Sequence, residues 1–203
     1  MSTRPQPAGN FYDKYRTGNP IARRLMDGFL GAFDSLCAQV PISAALEIGC
    51  GEGELSIRLA GRGFTVRGCD ISPEIIEEAR SRAIAARVDA AFWTQPIESI
   101  DVVSERAPLV ICCEVLEHLD DPQRAVDVLA ELTLSHLVVS VPREPLWRVL
   151  NMARGKYLAD FGNTPGHVNH WSRSAFLKLL ERRFEVIDVH SPLPWTMALC
   201  RRR

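Results

Sequence analysis

The sequence predicts an α/β domain built on a doubly wound, seven-stranded, mostly parallel sheet, with helices on both faces and an antiparallel last strand. Three observations carry this. Strand-like apolar runs alternate with helix-like stretches from residue 44 to residue 190. The run Leu-Val-Ile-Cys-Cys at 109–113 is continuously apolar, as in a strand buried on both faces. The first strand leads straight into Gly49-x-Gly51-x-Gly53, a tight turn opening a helix.

The elements follow in order. Residues 1–10 are polar and Pro/Gly-rich and are expected to be disordered. Asn19 caps a helix with Pro20 in its first turn, and Ile21, Leu25, Phe29, Leu30 and Phe33 fall at helical spacing to about Ala38. Strands are expected at 44–49, 64–70, 89–94, 109–113, 136–141, 184–190 and 195–200. Helices are expected from Gly53 to Ala60, from Pro73 (capped by Ser72) to about Ala86, from Asp121-Pro122 to about Thr133, and from Ser172 to Leu180. One domain accounts for the chain: a tail and N-terminal cap helix over 1–40, a cofactor-binding core over 44–141, a substrate lid over 142–171, and a C-terminal helix with the last two strands over 172–200.

Composition narrows the classes. A chain of 203 residues with a formal net charge of −1 has one core and no overall field to draw it to nucleic acid. The six Cys (37, 50, 69, 112, 113 and 200) form no CxxC, and Cys112 and Cys113 should point to opposite faces of one strand. All six are expected reduced, in a cytoplasmic protein. Residues 1–20 show no signal-peptide pattern and no apolar run reaches the roughly 18 residues of a membrane span. A homodimer is compatible with the sequence.

The glycine loop lets backbone amides approach a ligand. A dinucleotide fingerprint needs a third glycine at position 54, and Glu54 stands there, which argues against bound phosphate but not against a zwitterion. Asp70 ends the second strand, 21 residues after Gly49, where a carboxylate can accept both hydroxyls of a ribose. The plainer alternative is a turn that needs glycine, followed by a turn Asp.

Taken together, "EIGCGEG" (47–53), "GCDIS" (68–72) and "ICCEVLEHL" (111–119) resemble the class I S-adenosylmethionine-dependent methyltransferases, Rossmann-like enzymes that include the ubiquinone-pathway O-methyltransferases. The resemblance spans about 44–190. It implies that Gly49, Gly51 and Gly53 approach the methionine and ribose of S-adenosyl-L-methionine, that Glu47 helps hold the amino-acid end, that Asp70 takes the ribose hydroxyls and that Ile71 packs on adenine. Glu114, at the fourth strand's end, joins this cofactor set. Gln95 stands where the family usually has an Asp for the adenine amino group.

With a helix beginning near Glu114, Glu114, Glu117 and His118 would share one helical face. Three readings compete. The carboxylates merely favour a helix N-terminus. His118 is a general base oriented by a Glu. Or a divalent metal (Mg²⁺, Mn²⁺, Fe²⁺ or Zn²⁺) is bound. The cluster resembles the Glu-x-x-Glu-His of magnesium-dependent ubiquinone-pathway enzymes and of small-RNA 2′-O-methyltransferases, where a later His completes the site. His167, four residues before Trp171 in "GHVNHWSR", matches that position. A similar "H[VI]N" also occurs in relatives without a known metal. The catalytic candidates are therefore His118, His167 and Glu114, and the metal candidates Glu114, Glu117, His118 and His167.

Residues 142–171 form a long connection expected to close, with the N-terminal helix, over the strand ends. Leu146, Trp147, Val149, Leu150, Met152, Leu158 and Phe161 alternate there with Arg143, Arg148, Arg154 and Lys156. This is an ordinary amphipathic cap, a pocket with a cationic rim for an apolar or anionic acceptor, or a helix resting on a membrane surface. Tyr12, Tyr15, Trp147, Tyr157, His170 and Trp171 are the candidate substrate contacts. The expected activity is methyl transfer to a small molecule, an oxygen acceptor being favoured by analogy. The alternatives are an RNA 2′-O-methyltransferase and a non-methylating protein of the same fold.

Overall fold

A computed structural model of the protein describes residues 18–41 and 43–203. Tyr12, Tyr15 and the tail expected to be disordered lie outside these residues. Helix α1 (Pro20–Cys37) is capped as predicted, the Asn19 side chain accepting from the Ile21 and Ala22 N–H groups. Then follow β1 (Ala44–Ile48), α2 (Glu54–Ala60), β2 (Thr65–Asp70), α3 (Pro73–Ala86), β3 (Ala90–Thr94) and β4 (Ala107–Cys113). The second half adds α4 (Pro122–Leu132), β5 (Thr133–Pro142), α5 (Leu146–Ala153), α6 (Arg173–Leu180), β6 (Phe184–His190) and β7 (Trp195–Arg202). Ser72, Asp121 and Ser172 cap α3, α4 and α6 through their side-chain oxygens.

The strands form one sheet in the order β3-β2-β1-β4-β5-β7-β6. β1 to β5 are parallel, and β7 runs antiparallel between β5 and β6. The direction of winding reverses between β1 and β4, the point beyond whose carboxyl ends doubly wound sheets take their ligands.

Side-chain alternation along β4 explains the two covered faces. Leu109, Ile111 and Cys113 enter the core under α1 and α2, with Phe29, Phe33, Leu36, Leu55 and Leu59. Val110 and Cys112 enter the opposite core with Val126 and Leu129 of α4 and Phe176 and Leu180 of α6. Burial of each such side chain contributes about 1.5–3 kcal/mol. All six cysteines are free and buried, and burial pushes the thiols of Cys37, Cys69 and Cys200 up to about 12. No helix among the described residues is long and apolar enough to cross a membrane.

Three expectations need correcting. First, β5 starts at Thr133, directly from the end of α4, and Thr133 Oγ1 closes that junction by donating to the Leu129 carbonyl at 2.6 Å. Second, α1 from Met26 onward is a layer of the core rather than a cover for the strand ends, because its buried residues pack on the sheet face. Third, no α-helix begins at Glu114. That residue adopts φ +61°, a 3₁₀ turn follows over Leu116–His118, and α4 starts only at Pro122.

Candidate active site

The crevice between β1 and β4 collects most of the predicted site. Gly49 and Gly51 both have positive φ, at +70° and +52°. A β-carbon at Gly49 would stand 2.3 Å from Val115 Cγ2, so glycine is required for the two loops to meet. A β-carbon at Gly51 would meet nothing within 4 Å. The backbone there faces open space, a cradle that any side chain would begin to fill. Gly53 precedes α2 as its N-cap.

Two carboxylates brace this loop. Glu47 is 3% exposed and accepts from Ser56 Oγ at 2.5 Å. Burial pushes its carboxyl up to about 8, against the opposing effect of the Ser56 hydrogen bond. Asp70 accepts from the Gly51 N–H through Oδ2 (3.0 Å) and from the Ser72 N–H through Oδ1 (3.1 Å). A carboxylate offers about four acceptor sites, so capacity remains for a pair of hydroxyls. Ile71 follows at 48% exposure. Gln95 bonds through its N–H to the Asp70 carbonyl, and its amide nitrogen donates to Ser99, which leaves the side-chain oxygen as an acceptor. Open backbone, an acidic strand end, an exposed apolar platform and an amide oxygen fit a nucleoside carrying an amino acid. Glu54 in the first turn of α2 does not fit a phosphate.

At the end of β4 the structure separates the predicted cluster. Glu117, His118 and His167 each bring one ligand atom to within 4.8 Å of the others. Glu114 does not belong to that group. Its Oε1 accepts from Ser140 Oγ at 3.0 Å and its Oε2 from Trp195 Nε1 at 2.6 Å. The left-handed turn at Glu114, which costs a non-glycine residue about 1–2 kcal/mol, is why the shared helical face never forms. The structure thus offers a three-residue metal set, not the four residues expected from the sequence.

His167 reaches the cluster because its neighbours are tied to the 3₁₀ turn. The Val168 and Asn169 N–H groups donate to the Glu117 carbonyl at 2.9 and 3.1 Å. The Asn169 side-chain amide donates to the carbonyls of Leu119 (2.6 Å) and Leu116 (3.3 Å). His118 Nδ1 lies 3.0 Å from the Gly166 carbonyl. A carbonyl only accepts, so Nδ1 carries a proton, and in the neutral form of the ring the lone pair is then at Nε2. The two imidazoles meet edge to face at 4.9 Å, and Trp147 stacks on His167 at 5.7 Å and 28°. Trp147 in turn donates to Thr164 Oγ1 at 2.9 Å, holding α5 against the segment that carries His167.

The other substrate candidates lie elsewhere. His170 is exposed and bonded to Asn163 Oδ1 at 2.7 Å. Trp171 packs on Phe176, against the core. Tyr157 is half-buried at φ +54° in front of the 3₁₀ turn Leu158–Asp160. Sequence reasoning missed Val115, Asn169 and Trp195 as site residues. Of these, only Asn169 had a signal, its place in the "HVN" triplet.

The topology and the open glycine turn are those of doubly wound proteins that take a ligand beyond the carboxyl ends of their strands. Residues 45–134 match a family described as a methyltransferase domain. A ubiquinone biosynthesis O-methyltransferase of Coxiella burnetii (strain Dugway 5J108-111) is 30% identical over 151 residues, which are 67% of this chain and 64% of that protein. The enzyme of the same description from Xylella fastidiosa (strain 9a5c) is 37% identical over 103 residues, 49% of this chain and 42% of that one. The chain therefore spans less than two thirds of these relatives' own length. Magnesium protoporphyrin IX methyltransferase from Synechocystis PCC 6803, solved with bound SAH, superposes with a TM-score of 0.73 at 23% identity, over 94% of this chain and 91% of that one, and shows the same fold. The chain belongs to the class I S-adenosylmethionine-dependent methyltransferases.

Proposed function

We propose that the protein transfers a methyl group from S-adenosylmethionine to a hydroxyl of an apolar, aromatic small molecule. The observation that supports the acceptor half is the convergence of Glu117, His118 and His167, just after the Val115 that meets Gly49 of the glycine loop. When bound, the donor supplies an already activated sulfonium methyl, so the protein's work is positioning and desolvation. Asp70 takes the ribose hydroxyls, the Gln95 side-chain oxygen takes the adenine amino group, and Ile71 covers the base. Glu47 stands behind the loop, braced by Ser56, and its charge is favoured when a cationic ammonium group lies near.

On the acceptor side, His118 Nε2 takes the hydroxyl proton while Gly166 holds Nδ1–H and fixes the ring. Trp147, stacked on His167, supplies an aromatic wall. Two imidazoles and one carboxylate are also a donor set for a divalent cation with open positions, and an ion held by Glu117, His118 and His167 would lower the pKa of the acceptor hydroxyl. The His118 contact with Gly166 is the outer hydrogen bond such a ligand needs. Hydroxyl methylation accords with the two relatives, each described as an O-methyltransferase.

The test is a labelled-donor assay with hydroxylated aromatic acceptors, run with and without chelator. Methyl incorporation that chelator abolishes and added Mg²⁺ or Mn²⁺ restores supports the metal form. Incorporation indifferent to chelator but lost in His118→Ala supports the base alone. Donor binding without transfer to any hydroxyl acceptor sinks the O-methylation reading, and preferential labelling of small RNA moves it to nucleic acid.

A further inference from the structure

Trp195 opens β7 and is 4% exposed. Its register opposite Pro142 sets it at the carboxyl end of β5, next to the end of β4. The ring is wedged edge-on against Phe29 at 5.0 Å and tilted against Trp147 at 5.8 Å. Its Nε1–H donates to Glu114 Oε2, while Ser140 Oγ donates to Oε1 of the same carboxylate.

Glu114 is the residue at which β4 leaves the sheet, in a backbone region that side chains other than glycine rarely adopt. The next residue, Val115, descends onto Gly49, close enough that no β-carbon fits between them. Val115 also begins the 3₁₀ turn, its carbonyl accepting from the His118 N–H at 3.0 Å. The position of one carboxylate thus sets how the residue after it seats on the glycine loop. Two donors from different strands hold its two oxygens, which stops rotation about the side chain.

We propose that Trp195 is a positioning residue for donor binding: its indole N–H keeps Glu114 in the left-handed turn, and the turn keeps Val115 seated on Gly49. The proposal rests on the donor reading of the glycine loop given above. It extends that reading to a residue 146 positions downstream of the loop's first glycine, in a strand separated from β1 by β4 and β5 in the sheet.

The measurement is the dissociation constant of S-adenosylhomocysteine by calorimetry, which needs neither acceptor nor turnover. Trp195→Phe keeps a ring against Phe29 and Trp147 but removes the donor, and should weaken binding about tenfold. Glu114→Gly makes the left-handed turn intrinsic to the backbone. In that background Trp195→Phe should add less than about a twofold further loss, whereas a merely structural Trp would cost the same in both. Equal binding by wild type and Trp195→Phe overturns the proposal, as does a full further loss in the glycine background. Should Trp195→Phe fail to fold, the wild-type indole N–H resonance gives the answer. It should be protected from exchange and should shift in Glu114→Gly, and an unprotected, unshifted resonance overturns the proposal. If wild type itself binds no S-adenosylhomocysteine, the donor reading falls and this inference with it. If wild type binds and the variant binds equally, only this inference falls.

Discussion

The two halves of the crevice are built by different means. On the proposed reading the donor half lies within residues 47–95, on short strand–turn–helix connections whose contacts are mostly backbone amides and strand-end carboxylates. The acceptor half draws His118 from the end of β4 and His167 from a connection between β5 and α6, joined by side-chain bonds such as Asn169 to Leu119 across 50 residues. A site made of local turns tolerates change around it and fails when the turn itself is altered. A site made of long-range clamps fails by small displacements of otherwise intact groups.

The most damaging change should strike the donor half. Gly51→Val puts a branched side chain into the open cradle and forces it to φ +52°. S-adenosylhomocysteine affinity should fall about 100-fold or more by calorimetry, with the far-ultraviolet circular dichroism of the folded chain retained. The acceptor half should break differently. His118→Ala should lower kcat by about 10²- to 10³-fold while leaving S-adenosylhomocysteine affinity within about twofold. Loss of binding in that variant would show the halves are not separable.

Asn169→Ala tests the clamp alone. His167 keeps its chemistry but loses its tether, and kcat should drop about tenfold, donor affinity again being spared. A wild-type kcat would mean the backbone bonds to Glu117 suffice.

Glu47 sharpens the contrast through pH. Its folded-state carboxyl sits near 8 against 4.5 unperturbed, so the unfolded chain ionises first as pH rises. Its contribution to stability is then complete below about pH 4.5 and lost as pH climbs toward 8. In the ligand-free protein, Tm of wild type relative to Glu47→Gln should decline from pH 5 to pH 8 and level off beyond. A flat difference would show that Glu47 is ionised in the fold. The smallest effect is expected in the connection between β5 and α6, where Phe161 is 72% exposed at φ +50°. Phe161→Gly relieves the left-handed backbone at little loss of burial and should raise stability by a few tenths to about 1 kcal/mol in urea melts.

The same division explains what could be read from the chain alone. Helix caps at Asn19, Ser72, Asp121 and Ser172, the alternation of strands and helices, and the Gly49–Gly53 turn are local features, decided by residues a few positions apart. The 3₁₀ turn at 116–118 was not legible. It depends on Glu114, which Ser140 and Trp195 hold from other strands, and on Asn169 from another loop. Glu114, Glu117 and His118 are spaced for a helix, and the partners that hold them otherwise arrive from distant parts of the chain. Trp195 read as the first residue of a strand. Its role at the crevice appears only once β7 is known to insert antiparallel beside β5.

The burial of every thiol makes the chain its own reporter of opening. Five of the six cysteines sit in sheet strands or at the end of α1 and should resist an aromatic disulfide reagent until the core comes apart. Cys50 is different: it lies inside the glycine loop, 6% exposed, with its Sγ 3.6 Å from the Gly51 carbonyl. Labelling there should run ahead of the other five and slow when the loop is occupied, giving a clock for local breathing of the cleft that needs no engineered probe.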